Sequence, residues 1–223
     1  MKTESLRVAL DAKESVSGLW NAPPKPMACL VLAHGAGAGM THKAMEAVAI
    51  GLAERGIAVL RYNFPYMERG LKRVDPPAIA HKAVRAAVAA ARERAPKLPL
   101  FAGGRSFGAR MTSQAQAAKP LDGVQGLVFF AFPLHPAGAP SDDRAAHIKD
   151  VKVPMLFLQG TRDALAELTL LKPVVKSLGN RAKLVLAQDA DHSFHVPAKA
   201  GRKDSEVLSE LLDTARDWML SVP

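Results

Sequence analysis

The sequence predicts an α/β fold, with a mostly parallel sheet and helices packed on both of its faces. Two observations carry this prediction. A short run such as Ala28–Ala33 is apolar without interruption, as a strand covered on both faces must be, and Ile57–Tyr62 reads as a second buried strand. Between such runs lie segments whose apolar residues recur at helical spacing, and this alternation of strand and helix defines the class.

Taken in order, residues 6–10 alternate and residues 16–20 follow a polar turn, which gives two short strands. Asn21-Ala22-Pro23-Pro24-Lys25-Pro26 is a stiff connector that cannot join a central ladder. The strand at 28–33 runs into His34-Gly35-Ala36-Gly37-Ala38-Gly39-Met40, after which Thr41 is placed to cap a helix carrying Met45, Val48, Ala49 and Leu52 on one face. Gly56 ends that helix, and the strand at 57–62 exits into Asn63-Phe64-Pro65-Tyr66. Asp75 as cap and Pro76 at the first position open a helix with the stripe Ala80, Ala83, Val84, Ala87, Val88 and Ala91. Strands are expected at 100–102, 126–132, 154–159 and 182–187, with a helix at 109–118 stopped by Pro120 and a helical segment interrupted by Pro173. Residues 133–152 read as loop with one short helical turn. A last helix, capped by Asp204, presents Val207, Leu208, Leu211, Leu212, Ala215, Trp218 and Met219.

A chain of 223 residues, 48% hydrophobic, is expected to form one domain over 1–223 with a substantial core. Its one cysteine, Cys29, excludes an internal disulfide and reads as a buried core residue. The first residues interleave charges without an apolar h-region, and no apolar run approaches the ~18 residues of a membrane span. A soluble, cytoplasmic protein with no membrane association is expected. The net charge of +9 comes from 30 basic residues spread along the whole chain with few aromatics, which fits solvated helix faces rather than a nucleic-acid surface.

The chemistry collects where strands end. Gly104-Arg105-Ser106-Phe107-Gly108 has the form Gly-x-Ser-x-Gly between a strand and a helix, a context that projects a serine hydroxyl clear of the backbone. Such a hydroxyl needs an imidazole to take its proton, and the imidazole needs a carboxylate to fix its tautomer. Asp163 follows the strand at 154–159 and His192 follows the strand at 182–187, so Ser106, Asp163 and His192 stand on exits along one sheet edge, in the chain order this chemistry takes on such a sheet. Asp142, Asp143 and Asp191 are rivals for the acid, the last better suited to shaping its loop; His195 is the rival for the base. His42, His81, His135 and His147 read as surface residues.

With these motifs the chain resembles the α/β-hydrolase superfamily over nearly its full length. It is similar to small serine hydrolases without a large cap, such as dienelactone-hydrolase-like proteins, and to the hydrolase-like group of testis-expressed protein thirty and NSL-complex subunit three. The residues that carry the resemblance are His34-Gly35-Ala36-Gly37, Gly104-Arg105-Ser106-Phe107-Gly108, Gly160-Thr161-Arg162-Asp163 and Asp191-His192-Ser193-Phe194. The resemblance implies a nucleophile at Ser106, a base at His192 and an acid at Asp163. It implies an oxyanion hole from the N–H groups of Phe107 and Ala36, with Gly37 as rival to Ala36, and a supporting role for His34 in the turn. It implies a small-molecule acyl substrate, with no metal and no cofactor. Arg105 is read either as turn support through a nearby carboxylate or as an anchor for an anionic substrate group. Phe64 and Tyr66 either wall the pocket or pack beneath it. The function expected is ester or related acyl hydrolysis through an acyl-enzyme; the alternative is a hydrolase-like scaffold that mainly binds a protein partner.

Overall fold

The computed structural model describes residues 3–223. Its strands are β1 (Thr3–Ala9), β2 (Ser15–Asn21), β3 (Ala28–Ala33), β4 (Ile57–Tyr62), β5 (Leu100–Arg105), β6 (Val124–Phe130), β7 (Met155–Gly160) and β8 (Ala182–Ala187). Its helices are α1 (Lys43–Glu54), α2 (Pro65–Glu68), α3 (Pro77–Arg94), α4 (Phe107–Ala118), α5 (Leu168–Ser177) and α6 (Asp204–Ser221). The strands form one sheet in the order β1-β2-β4-β3-β5-β6-β7-β8. Among these strands β2 runs against the rest, pairing antiparallel with both β1 and β4. This is the α/β-hydrolase fold.

The apolar residues divide into two layers because the sheet is covered on both sides. Met45, Val48, Leu52, Val207, Leu211 and Trp218 of α1 and α6 pack on one face. Ala80, Val84, Val88, Met111, Leu171 and Val175 of α3, α4 and α5 pack on the other. All six residues of β3 are buried, as its unbroken apolar run requires. Cys29 lies in that strand as a core residue, its thiol pushed up to about 12 by burial.

Several boundaries differ from the sequence reading. β5 continues through the glycines to Arg105, and β6 starts and stops two residues earlier than expected. Pro173 does not interrupt α5. A proline inside a helix costs about 3 kcal/mol, which burial of Leu171 and Val175 on either side offsets at roughly 1.5–3 kcal/mol each. Residues 131–154 carry two short 3₁₀ turns, Asp143–Ala145 and Ile148–Asp150, and no cap is built there. None of the three expected caps holds. His42, not Thr41, caps α1 by accepting from the Ala44 N–H at 3.2 Å. Pro76 precedes α3, and Lys203 precedes α6.

The sheet order reverses at β3. The chain leaves β3 through α1 to β4 on one side, whereas β5 lies on the other side and leads away through β6. Such a switch point opens a crevice beyond the strand ends. Ala33, the last residue of β3, pairs with Gly104 of β5, so the glycine-rich turn and the serine turn leave the sheet side by side.

Candidate active site

Ser106 sits between β5 and α4 with φ 52° and ψ −115°, a left-handed backbone that a non-glycine residue holds at a cost of about 1–3 kcal/mol. The surroundings fix it. Its N–H donates to the Phe130 carbonyl at 3.1 Å, and its own carbonyl accepts the first helical bond from Arg110 at 3.1 Å. The flanking glycines leave room for the bend. A Cβ on Gly104 would lie 2.5 Å from the Ala33 oxygen and 2.8 Å from the Gly108 carbonyl carbon, and one on Gly108 would fall on the Ala33 carbonyl. Backbone meets backbone at both positions, so neither tolerates a side chain.

The structure brings Asp163 and His192 to this serine. His192 Nε2 is 2.9 Å from Ser106 Oγ, and His192 Nδ1 is 2.8 Å from Asp163 Oδ2. A carboxylate only accepts, so Nδ1 carries the proton and Nε2 is free to accept from the serine hydroxyl. The Asp163 side chain is fully buried. Its Oδ1 accepts from the Leu165 N–H at 2.8 Å, and Gln159 at the end of β7 also donates to Oδ2. Gln159 was not singled out in the sequence; its one signal is a polar side chain closing an apolar strand.

The rivals lie elsewhere. Asp191 folds its own loop, with Oδ1 accepting from the Ser193 and His195 N–H groups at 2.7 and 3.0 Å. His195 is exposed and pairs with Asp204 at 2.8 Å, a partner that raises its pKa. His135 is a correction to the surface reading. It is buried, and Nε2 accepts from the Glu167 N–H at 3.1 Å, tying the loop after β6 to the loop that carries Asp163. His81 and His147 are half-buried, and burial lowers the His147 pKa to about 4.

The glycine-rich turn rests on the exit of β4. His34 is fully buried, and burial takes its pKa down to about 4, so the ring is neutral. Its Nε2 accepts from the Phe64 N–H at 3.0 Å, which leaves the proton on Nδ1, donated to the Gly35 carbonyl at 2.7 Å. A trans peptide directs its C=O and N–H oppositely, so this bond aims the Ala36 N–H away from His34. Tyr66 Oη donates to the Ala36 carbonyl at 2.9 Å and lies 3.3 Å from that of Gly35, aiming the Gly37 N–H in the same manner. Among the described residues, the N–H groups of Ala36, Gly37 and Phe107 have no protein acceptor. Phe64 and Tyr66 are therefore buttresses beneath the turn and not pocket walls. Both are buried, and both rings pack edge-on against Phe107. Further support was invisible in the sequence: buried Arg61 donates to the Met40 carbonyl at 2.8 Å, and buried Asp75 accepts from the Tyr66 N–H at 2.8 Å.

A cleft of about 270 Å³ opens over these groups, lined by Gly35, Ala36, Gly37, Arg105, Ser106 and His192 among others. Arg105 does not pair with the carboxylate expected of a turn support. Its Nη2 donates to Ser193 Oγ at 3.0 Å and lies 3.5 Å from the His192 carbonyl, so it fastens the loop that carries the histidine. It forms no ion pair among the described residues. Burial lowers its pKa while the charges of Asp191 and Asp163 oppose that shift, and the guanidinium stays a cation. Among the described residues no group of three or more His, Cys, Asp or Glu is arranged to hold a metal ion.

The model of the alpha/beta hydrolase domain family matches residues 26–220. The chain belongs to that family, for which serine-hydrolase and esterase chemistry is typical. Solved structures of similar fold include the dienelactone hydrolase of Anabaena variabilis, 19% identical with TM-score 0.79 over 99% of this chain and 98% of that one. An α/β serine hydrolase homologue from Coxiella burnetii is 20% identical with TM-score 0.77 over 96% and 98%. An α/β serine hydrolase without lid from Xanthomonas campestris is 24% identical with TM-score 0.75 over 100% and 97%. At these identities the likeness is one of fold. It agrees with the dienelactone-hydrolase-like architecture lacking a large cap. Among the described residues no helix is long and apolar enough to cross a membrane.

Proposed function

We propose that this chain is a serine hydrolase that cleaves a carboxylic ester or related acyl bond of a small molecule. The observation that carries the reading is the unbroken hydrogen-bonded line from Ser106 Oγ through His192 to Asp163, at 2.9 and 2.8 Å. Ser106 Oγ attacks the acyl carbon while its proton passes to His192 Nε2. The carbonyl π pair moves onto oxygen, and the N–H groups of Phe107 and Ala36, with Gly37 beside it, receive that charge. The tetrahedral intermediate collapses to an acyl-serine, and the alcohol leaves with the proton from His192. A water then gives its proton to Nε2 and attacks the acyl-serine, and the second tetrahedral intermediate collapses to release the acid as Ser106 Oγ takes the proton back from His192. Asp163 holds the imidazole and stabilises its cation throughout. Lacking a large cap, the cleft admits small or exposed acyl groups.

The test is labelling with a fluorophosphonate. The wild type is expected to be labelled, and Ser106→Ala, His192→Ala and Asp163→Asn to lose or strongly slow labelling. Equal labelling of the wild type and Ser106→Ala would sink the reading.

A further inference from the structure

We propose that the chamber between α1, α6 and the elbow is the pocket for the acyl group, and that it selects a compact apolar acyl chain about the size of a benzene ring. This rests on the hydrolase reading above. The chamber has a volume of about 160 Å³; Ala44, Val48, Phe130, Phe194 and Leu208 form its apolar walls, and Asp204 and Ser205 at the start of α6 line it as well. A cavity of roughly 150 Å³ is large enough to hold a benzene ring. That size sets the expected substrate: an acetyl group leaves the chamber mostly empty, while a hexanoyl tail or a phenylacetyl ring fills it.

Three observations join the chamber to the chemistry. Arg105 and Ser193 line both the chamber and the cleft over Ser106, so the two spaces meet at this pair. The two side chains are hydrogen-bonded to each other at 3.0 Å, so an acyl chain reaching from the cleft to the chamber would run beside the aliphatic stem of Arg105. The chamber wall is also bonded to the nucleophile itself, because the Phe130 carbonyl accepts from the Ser106 N–H. Finally, Phe194 holds a left-handed backbone, φ 61°, that glycine would adopt freely. A phenylalanine kept in that conformation places its ring in the chamber wall at the expense of backbone strain, which is the mark of a functional position.

Other spaces lack this continuity. The groove of about 510 Å³ between α3 and the turn after α4 shares no residue with the cleft.

The experiment compares p-nitrophenyl acetate, hexanoate, phenylacetate and dodecanoate on the wild type and on two variants that fill the chamber from different helices, Leu208→Trp and Ala44→Leu. The wild type is expected to favour hexanoate and phenylacetate over acetate in kcat/KM by about tenfold or more, with no further gain for dodecanoate. Each filled variant is expected to cut the hexanoate-to-acetate ratio by at least about tenfold. A benzene titration followed on the Val48 and Leu208 methyl resonances reads the chamber without turnover. Saturable shifts in the wild type, lost in Ala44→Leu, are expected. A ratio that neither filled variant changes, or methyl resonances that benzene does not shift, would overturn the proposal and leave the hydrolase reading standing. A wild type that binds benzene yet neither hydrolyses any ester nor takes a fluorophosphonate overturns the hydrolase reading, and the acyl assignment with it.

Discussion

His34 offers a test in which stability and activity should move in opposite directions. Its two ring nitrogens do separate work: Nε2 accepts from the Phe64 N–H at 3.0 Å, and Nδ1 donates to the Gly35 carbonyl at 2.7 Å. An asparagine amide reaches about as far as Nδ1 and a glutamine amide about as far as Nε2, so His34→Asn keeps the Gly35 bond and His34→Gln keeps the Phe64 bond. Losing the acceptor for a buried backbone N–H costs about 1–3 kcal/mol. At about 2–4 °C per kcal/mol for a chain of this size, His34→Asn should melt roughly 2–12 °C below the wild type. His34→Gln leaves the Gly35 carbonyl within reach of Tyr66 and should melt higher than His34→Asn. Activity should rank the other way. Removing one oxyanion donor outright lowers kcat about 10²–10³-fold. Loosening the Gly35–Ala36 peptide with Tyr66 still in place should cost His34→Gln about tenfold in kcat at nearly constant KM, while His34→Asn stays closer to the wild type. The assays are thermal melting and steady-state hydrolysis of p-nitrophenyl acetate. If the less stable variant is also the less active one, the orientation argument fails and His34 is merely a core residue.

The elbow and the β4 exit yield two more expectations. Gly104→Ala forces a Cβ against the Ala33 and Gly108 backbones and should destabilise by at least the 1–3 kcal/mol typical of overpacking, lowering the melting temperature by roughly 2–12 °C; an unchanged melting curve would contradict the close approach. Glu68 meets opposing influences: burial raises its pKa, but hydrogen bonds from Asn63, Arg7 and Ser17 hold it at about 2 against an ordinary 4.5. A carboxylate depressed in the fold adds stability that is fully present above pH 4.5 and lost as pH falls through about 2. Glu68→Gln should therefore flatten the stability–pH curve in that window, and a slope equal to the wild type's would refute the assignment.

The fold was legible because its signals are redundant. Largely apolar runs separated by helical stripes fix alternating strands and helices, and β3, β4 and β8 fall where the sequence puts them to the residue. The candidate site was legible where its residues sit at strand exits: Ser106 follows β5 directly, and Asp163 and His192 lie in the loops that leave β7 and β8. The buttresses under the turn were not, because their signal is a side chain's partner far along the chain. Arg61 is the one charged residue of an otherwise apolar strand, and nothing local shows that its guanidinium reaches Met40 and Asn21. His135 lies in a loop whose surface reading ignores that Glu167, 32 residues on, needs an acceptor.

Two of the three missed caps share a cause. Asp75 and Asp204 both stand where an N-cap is expected, and that local reading assumes the carboxylate is free for its own helix. In the fold each is taken by a loop instead. Asp75 accepts from the Tyr66 N–H and so steadies the residue that holds the Ala36 carbonyl. Asp204 accepts from Val196 and pairs with His195, closing the loop that begins at His192, while the first turn of α6 is served by the bond from the Lys203 N–H to Glu206. An N-cap is worth about 1 kcal/mol, so giving it up is a small local loss against correct placement of a turn or a histidine loop. The two carboxylates that local propensity misassigns both serve segments bearing the proposed oxyanion turn and base, where local rules are expected to yield to function.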